Sequence, residues 1–66
     1  MKMNNLKLKT LVRDLHRTAK GMRKIGQRMK QLDTPNGFDL WRHGDEMIGA
    51  AKIAEGWAGN IERRLR

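Results

Sequence analysis

The sequence predicts an all-α protein: an antiparallel two-helix hairpin that dimerises into a four-helix bundle. Three observations predict this fold. Apolar residues recur at helical spacing in two segments, and a proline followed by Asn-Gly lies between them. The chain has 66 residues and no cysteine, so it is too short to bury a large core alone and has no disulfide to compensate. We therefore expect one domain, residues 1–66, that needs a second copy.

The first helix is expected over about residues 5–32. Written as heptads from Leu8, its a positions are Leu8, Leu15, Met22 and Met29, and its d positions are Leu11, Thr18, Ile25 and Leu32. Seven of these eight residues are apolar, a period that a strand does not have. Asn4 or Asn5 can cap the start, because asparagine accepts hydrogen bonds from the free N–H groups of a first turn.

Residues 33–38 are expected to form the turn. Pro35 disfavours a helical residue before it, and Asn36-Gly37 tolerates positive φ. Asp39 is then the expected cap of a second helix over about residues 39–65. Apolar residues recur along this segment at Leu40, Met47, Ala50, Ala51, Ala54, Trp57, Ala58, Ile61 and Leu65.

Two helices of nearly equal length joined by a short turn favour antiparallel packing. Pairing them outward from the turn places Leu15 beside Trp57, which predicts a core position for this tryptophan. The small residues Ala50, Ala54 and Ala58 recur every four positions, so we expect them to allow close approach of the helices.

A lone hairpin leaves apolar residues beside its seam uncovered, and twofold homodimers are the commonest soluble oligomers. The residues expected at an interface with a second copy or another protein are Trp41, Ile48, Ile53, Ala51, Ala58 and Leu65. Trp41 is the expected anchor, because buried tryptophans often dominate binding energy.

Positive charge is concentrated in the first helix. The formal net charge is +8; residues 1–32 hold ten lysines and arginines and one acid, whereas residues 33–66 hold five and six. Cations expected on the outer face of the helix are Lys9, Arg13, Arg17, Lys20, Arg23, Lys24 and Lys30. Several are like-charge neighbours three or four residues apart, a repulsion that an anionic partner would relieve.

The leading functional hypothesis is a non-enzymatic interaction protein that occupies the surface of another macromolecule with this basic helix. The alternative is a DNA- or RNA-binding protein that contacts phosphates. The basic helix has no aromatic residue to stack on bases, so such binding would depend on salt and tolerate many sequences.

Other function classes lack the required residues. Without cysteine or serine the chain lacks the usual catalytic nucleophiles, and we expect no enzymatic activity and no cofactor. His16 is expected to be an exposed surface residue. Asp39, His43 and Glu46 share a helical face, but acids are also usual in a first turn, so we expect no metal site. No signal peptide or membrane span is recognisable, which favours a cytoplasmic protein without integral membrane association.

The short, cysteine-free, cationic hairpin resembles small host-modulating proteins encoded by bacteriophages. Within that group, Ile48, Ala51 and the segment Trp57-Ala58-Gly59-Asn60-Ile61-Glu62-Arg63 are similar to phage cyclic-nucleotide sponges. Those helical assemblies bind a signalling nucleotide without cleaving it. The resemblance implies that the leading hypothesis describes an anti-defence inhibitor, which would inhibit or redirect a host macromolecule. It also adds sequestration of an anionic nucleotide as a third hypothesis. It transfers no binding residue to this sequence.

Overall fold

The computed structural model describes residues 5–32 and 39–65, which form two α-helices and no strand. Helix α1 spans Asn5–Gln31 and helix α2 spans Leu40–Leu65, each within one residue of its predicted bounds. His16, Arg23 and Lys30 of α1 contact residues of α2 in reverse chain order, so the helices are antiparallel and the predicted hairpin is confirmed. The predicted turn over residues 33–38 and the possible cap Asn4 lie outside the described residues.

Local interactions explain why α2 starts and how both helices end. The backbone N–H of Arg42 donates to Oδ1 of Asp39 over 3.0 Å, so Asp39 is the N-cap of α2 as predicted. Basic side chains occupy the last turn of each helix, Arg28 and Lys30 in α1 and Arg63 and Arg64 in α2. Cations at these positions favour the helix because its C-terminal carbonyls carry partial negative charge.

The helices pack through small residues that repeat every seven positions. We call this the small-residue contact: Val12, Ala19 and Gly26 of α1 against Gly44, Ala51 and Ala58 of α2, all six buried. At its turn end the backbones nearly touch, since a Cβ built on Gly44 would lie 2.6 Å from the carbonyl oxygen of Gly26. Ala54 adds to the contact, whereas Ala50 is exposed, so the predicted line of Ala50, Ala54 and Ala58 is only partly correct.

The predicted seam of α1 is correct for its a positions and wrong for its d positions. Leu8, Leu15, Met22 and Met29 are partly buried beside the small-residue contact. Leu11 and Ile25 are each 47% exposed, and Thr18 and Leu32 are exposed as well. The reason is the rotation of α1 about its own axis. Compared with the orientation that the predicted seam requires, α1 is turned by about 50°, at 100° per residue, so that Ala19 and Gly26 face α2. Small side chains there bring the helices closer than leucine and isoleucine would allow.

A single copy consequently has a thin core. Its buried apolar residues are Val12 and four alanines, and no large side chain among the described residues is fully buried. The molecule is a rod of 55 × 16 × 13 Å with a radius of gyration of 15.7 Å, whereas a compact domain of this length would have about 11 Å. Neither described helix combines the length and apolar character needed to cross a membrane.

Candidate anion-binding face

Five of the seven predicted cations form a continuous exposed row on α1. We call this row the basic face: Lys9, Arg13, Arg17, Lys20 and Lys24. The intervals of four, four, three and four residues follow the helical repeat, so the row runs along the rod for about 22 Å. None of the five forms an ion pair with a described acid. Arg17 and Lys24 lie on the side of α1 that faces away from α2.

The other two predicted cations, Arg23 and Lys30, are not part of this face. Arg23 lies at the edge of the helix contact and donates two hydrogen bonds to the carboxylate of Glu55, one of them 2.9 Å long. The Nζ atom of Lys30 lies 3.6 Å from Oδ1 of Asp45 and 4.6 Å from the centre of the Trp41 ring. Their assignment to the outer face is corrected, because acids of α2 already neutralise both charges.

His16 extends this row of contacts between the helices. Its Nε2 lies 2.8 Å from Oε1 of Glu62, so the histidine has a partner on α2 although its side chain is half exposed. His16, Arg23 and Lys30 are seven residues apart on α1, and their partners Glu62, Glu55 and Asp45 follow in reverse order on α2. We call this side of the hairpin the ion-pair flank. Three of the four acids of α2 have their partners on this flank, and none of them forms an ion pair with the basic face.

The six predicted interface residues do not form one surface. Ala51 and Ala58 were expected to face a partner, and this is wrong because both are completely buried inside the hairpin. Ile48 and Leu65 are partly buried, and Ile48 contacts the backbone at Gly26. Trp41 and Ile53 are more than half exposed, but Trp41 lies under Lys30 on the ion-pair flank while Ile53 points outward from α2.

The structure instead exposes an apolar surface that sequence reasoning assigned to the seam. Leu11, Ile25 and Leu32 lie on the side of α1 opposite the ion-pair flank, and Trp57, 58% exposed, lies on the corresponding side of α2. The predicted core position of Trp57 is therefore wrong. We call these four residues the apolar flank. The signal that could have revealed it is the seven-residue repeat of small residues in both helices, which marks a closer contact than the leucine line.

The described residues offer few other groups that could bind a metal or a small ligand. Asp39 caps α2, and Nδ1 of His43 lies 3.1 Å from Oε1 of Glu46, so this trio has local structural roles. No group of three potential ligands in residues 5–32 and 39–65 is arranged to hold a metal. A groove of about 430 Å³ at the open end of the hairpin is lined by Lys9, Val12, Arg13, Glu62 and Leu65. Its carboxylate makes it a poor pocket for an anionic nucleotide.

Comparisons with known proteins assign no family. No family model matches the chain, and neither the curated proteins nor the solved structures contain a significant match. The resemblance to phage proteins thus stays a prediction, and function has to be argued from the two exposed surfaces.

Proposed function

We propose that this protein is a non-enzymatic nucleic-acid-binding protein that contacts phosphates through the basic face. The observation that carries the proposal is the row of five exposed cations without acidic partners. Like charges at i, i+4 on a helix destabilise it by about 0.2–0.5 kcal/mol per pair. Arg13 and Arg17, and likewise Lys20 and Lys24, are such pairs. A polyanion removes this repulsion and releases its own counterions.

A nucleic acid is a better candidate than the surface of another protein. Protein interfaces depend on a few clustered apolar or aromatic anchors. The anchors predicted for such a partner, Trp41, Ile48 and Ile53, do not lie together on this structure. A straight row of cations with no aromatic side chain suits a phosphate backbone, and it predicts binding with little sequence preference.

The proposed form of the protein is a homodimer. Within residues 5–32 and 39–65 a single copy leaves seven large apolar side chains exposed, and its radius of gyration is well above that of a compact domain. Both features are expected of half of a four-helix bundle rather than of a self-sufficient domain. Dimerisation would double the number of cations available to one ligand.

Binding to a labelled 20-base-pair DNA or RNA duplex, followed by fluorescence anisotropy at several salt concentrations, tests the proposed ligand. Five phosphate contacts per copy predict a slope of log affinity against log salt of about −4.5 per copy on B-form DNA. Changing Arg17, Lys20 and Lys24 together to glutamine should weaken binding by at least about tenfold and flatten the slope.

The matched control changes three cations of α2, Arg42, Lys52 and Arg64, to glutamine. It removes the same charge but leaves the basic face intact, so it should weaken binding by much less. Absence of binding at low salt, or an equal loss in the two triple variants, would refute nucleic-acid recognition by this face.

A further inference from the structure

We propose that the occupant of the apolar flank is a second copy of this chain, with α1 packed antiparallel against the partner's α1 around a twofold axis at Gly21. This inference rests on the proposed homodimer and specifies its geometry. It also makes the nucleic-acid-binding surface a composite of two copies.

The apolar residues of α1 are arranged symmetrically about that point. The exposed line on this side of α1 consists of Leu11, Thr18, Ile25 and Leu32, seven residues apart. Its midpoint lies between positions 21 and 22. In an antiparallel pair centred there, Leu11 meets the partner's Leu32 and Thr18 meets the partner's Ile25, and each contact occurs twice. Such self-complementarity is required of a twofold interface, where the same patch serves both subunits.

Charge gives a second, independent reason for a centre within half a residue of this one. Asp14 is the single acid in α1, and Arg28 lies fourteen residues later; both are exposed and neither forms an ion pair with a described residue. Gly21 lies midway between them. In the antiparallel pair, Asp14 of each copy meets the partner's Arg28. An acid that would be isolated among cations in one copy acquires an opposite charge in the dimer.

Gly21 itself fits a close helix crossing. A Cβ built on this residue would have no neighbour within 4 Å, so the hairpin does not require glycine here. Glycine costs an α-helix up to about 1 kcal/mol relative to alanine. Gly49, Gly56 and Gly59 have equally open surroundings, so the open space at Gly21 permits a second helix backbone to pass over it but does not by itself require one.

The proposed partner helix and α2 approach α1 from directions that fit a four-helix bundle. At 100° per residue, the side of α1 that faces α2 and the side that carries Leu11, Asp14 and Gly21 are about 110° apart. This angle is close to the right angle between neighbours in a four-helix bundle. The partner would therefore cover Leu11, Ile25, Leu32 and Trp57, and the two basic faces would lie side by side on the α1–α1 surface.

Charge reversal tests the twofold. Sedimentation equilibrium without nucleic acid should show a dimer for the native chain. D14R and R28D should each weaken it by at least about tenfold, because each creates two like-charge contacts, and the D14R/R28D double variant should restore it. Net charge cannot imitate this result, since R28D lowers the overall repulsion between copies. A monomeric native protein, or a double variant that stays dissociated, would overturn the inference.

Cross-linking tests the position of the axis. The chain has no cysteine, so a single G21C substitution should give a disulfide-linked dimer on mild oxidation. G56C is the control, because Gly56 is exposed on the outer side of α2 with open space around it. Circular dichroism should show that both variants keep their helices. If G56C forms the disulfide-linked dimer faster than G21C, an axis at Gly21 is refuted.

The outcome of these two dimer tests does not depend on whether the proposed ligand is correct. If the double charge reversal restores the dimer but no nucleic acid binds, the symmetry is supported and the proposed ligand is wrong. If nucleic acid binds to a chain that sediments as a monomer, the ligand stands and the second copy on the apolar flank is wrong.

Discussion

Replacing Gly44 by alanine tests whether the two backbones touch at the small-residue contact. The new methyl group would lie 2.6 Å from the carbonyl oxygen of Gly26 and 2.9 Å from Cγ of Lys30. An ordinary contact begins at 3.4 Å, so the backbones must separate by the difference, about 0.8 Å. Overpacking of this kind costs about 1–3 kcal/mol.

A second effect acts in the opposite direction. Alanine favours the helix over glycine by about 1 kcal/mol, so the net change in the free energy of unfolding for G44A lies between zero and a loss of about 2 kcal/mol. G56A is the matched control, because the same methyl group at Gly56 meets nothing within 4 Å. It should stabilise the protein by up to about 1 kcal/mol.

Urea unfolding followed by the helical circular-dichroism signal measures both variants. Protein concentration has to be equal in all samples, because association shifts the apparent stability. The prediction is a difference of about 1–3 kcal/mol between G44A and G56A. If G44A stabilises the protein as much as G56A, the helices are not in backbone contact at this level and the assigned seam is incorrect.

Three further changes test other parts of the hairpin. R23Q should lower the free energy of unfolding by about 0.5–1 kcal/mol, because its ion pair with Glu55 is partly exposed, and the loss should shrink in high salt. D39A should cost about 1 kcal/mol through loss of the N-cap while D39N keeps most of the stability, as urea unfolding would show. I25Q should reduce dimerisation in sedimentation experiments and leave the helix content of the hairpin unchanged, since Ile25 is half exposed in a single copy.

Sequence reasoning located the helices because their signals are local. Apolar spacing defines each helix, and Asp39 marks the start of α2 by a side-chain hydrogen bond that needs no knowledge of the fold. The row from Lys9 to Lys24 was also predictable, since cations at intervals of three and four residues share a helical face.

The orientation of α1 was not predictable from hydrophobicity alone. Leucine and isoleucine gain most from burial, so a count of apolar residues favours the line through Leu11 and Ile25. In a single copy the line through Ala19 and Gly26 is the one that packs against α2. The reason is that Gly44, opposite Gly26, lets the two backbones approach within contact distance. Charge assignments failed for a related reason: Arg23 and Lys30 belong to the basic helix, but only the packed structure shows that Glu55 and Asp45 reach them.

The small residues that repeat every seven positions in both helices affect how well the stagger of the two helices along their axes is defined. Sliding α2 by one heptad would set Ala19 opposite Ala58 and Arg23 opposite Glu62, so small side chains would still meet and two cation–acid pairs could still form. The side chains therefore discriminate only weakly between the two alignments. Supplying the two helices as separate peptides would therefore produce a mixture of staggered pairs.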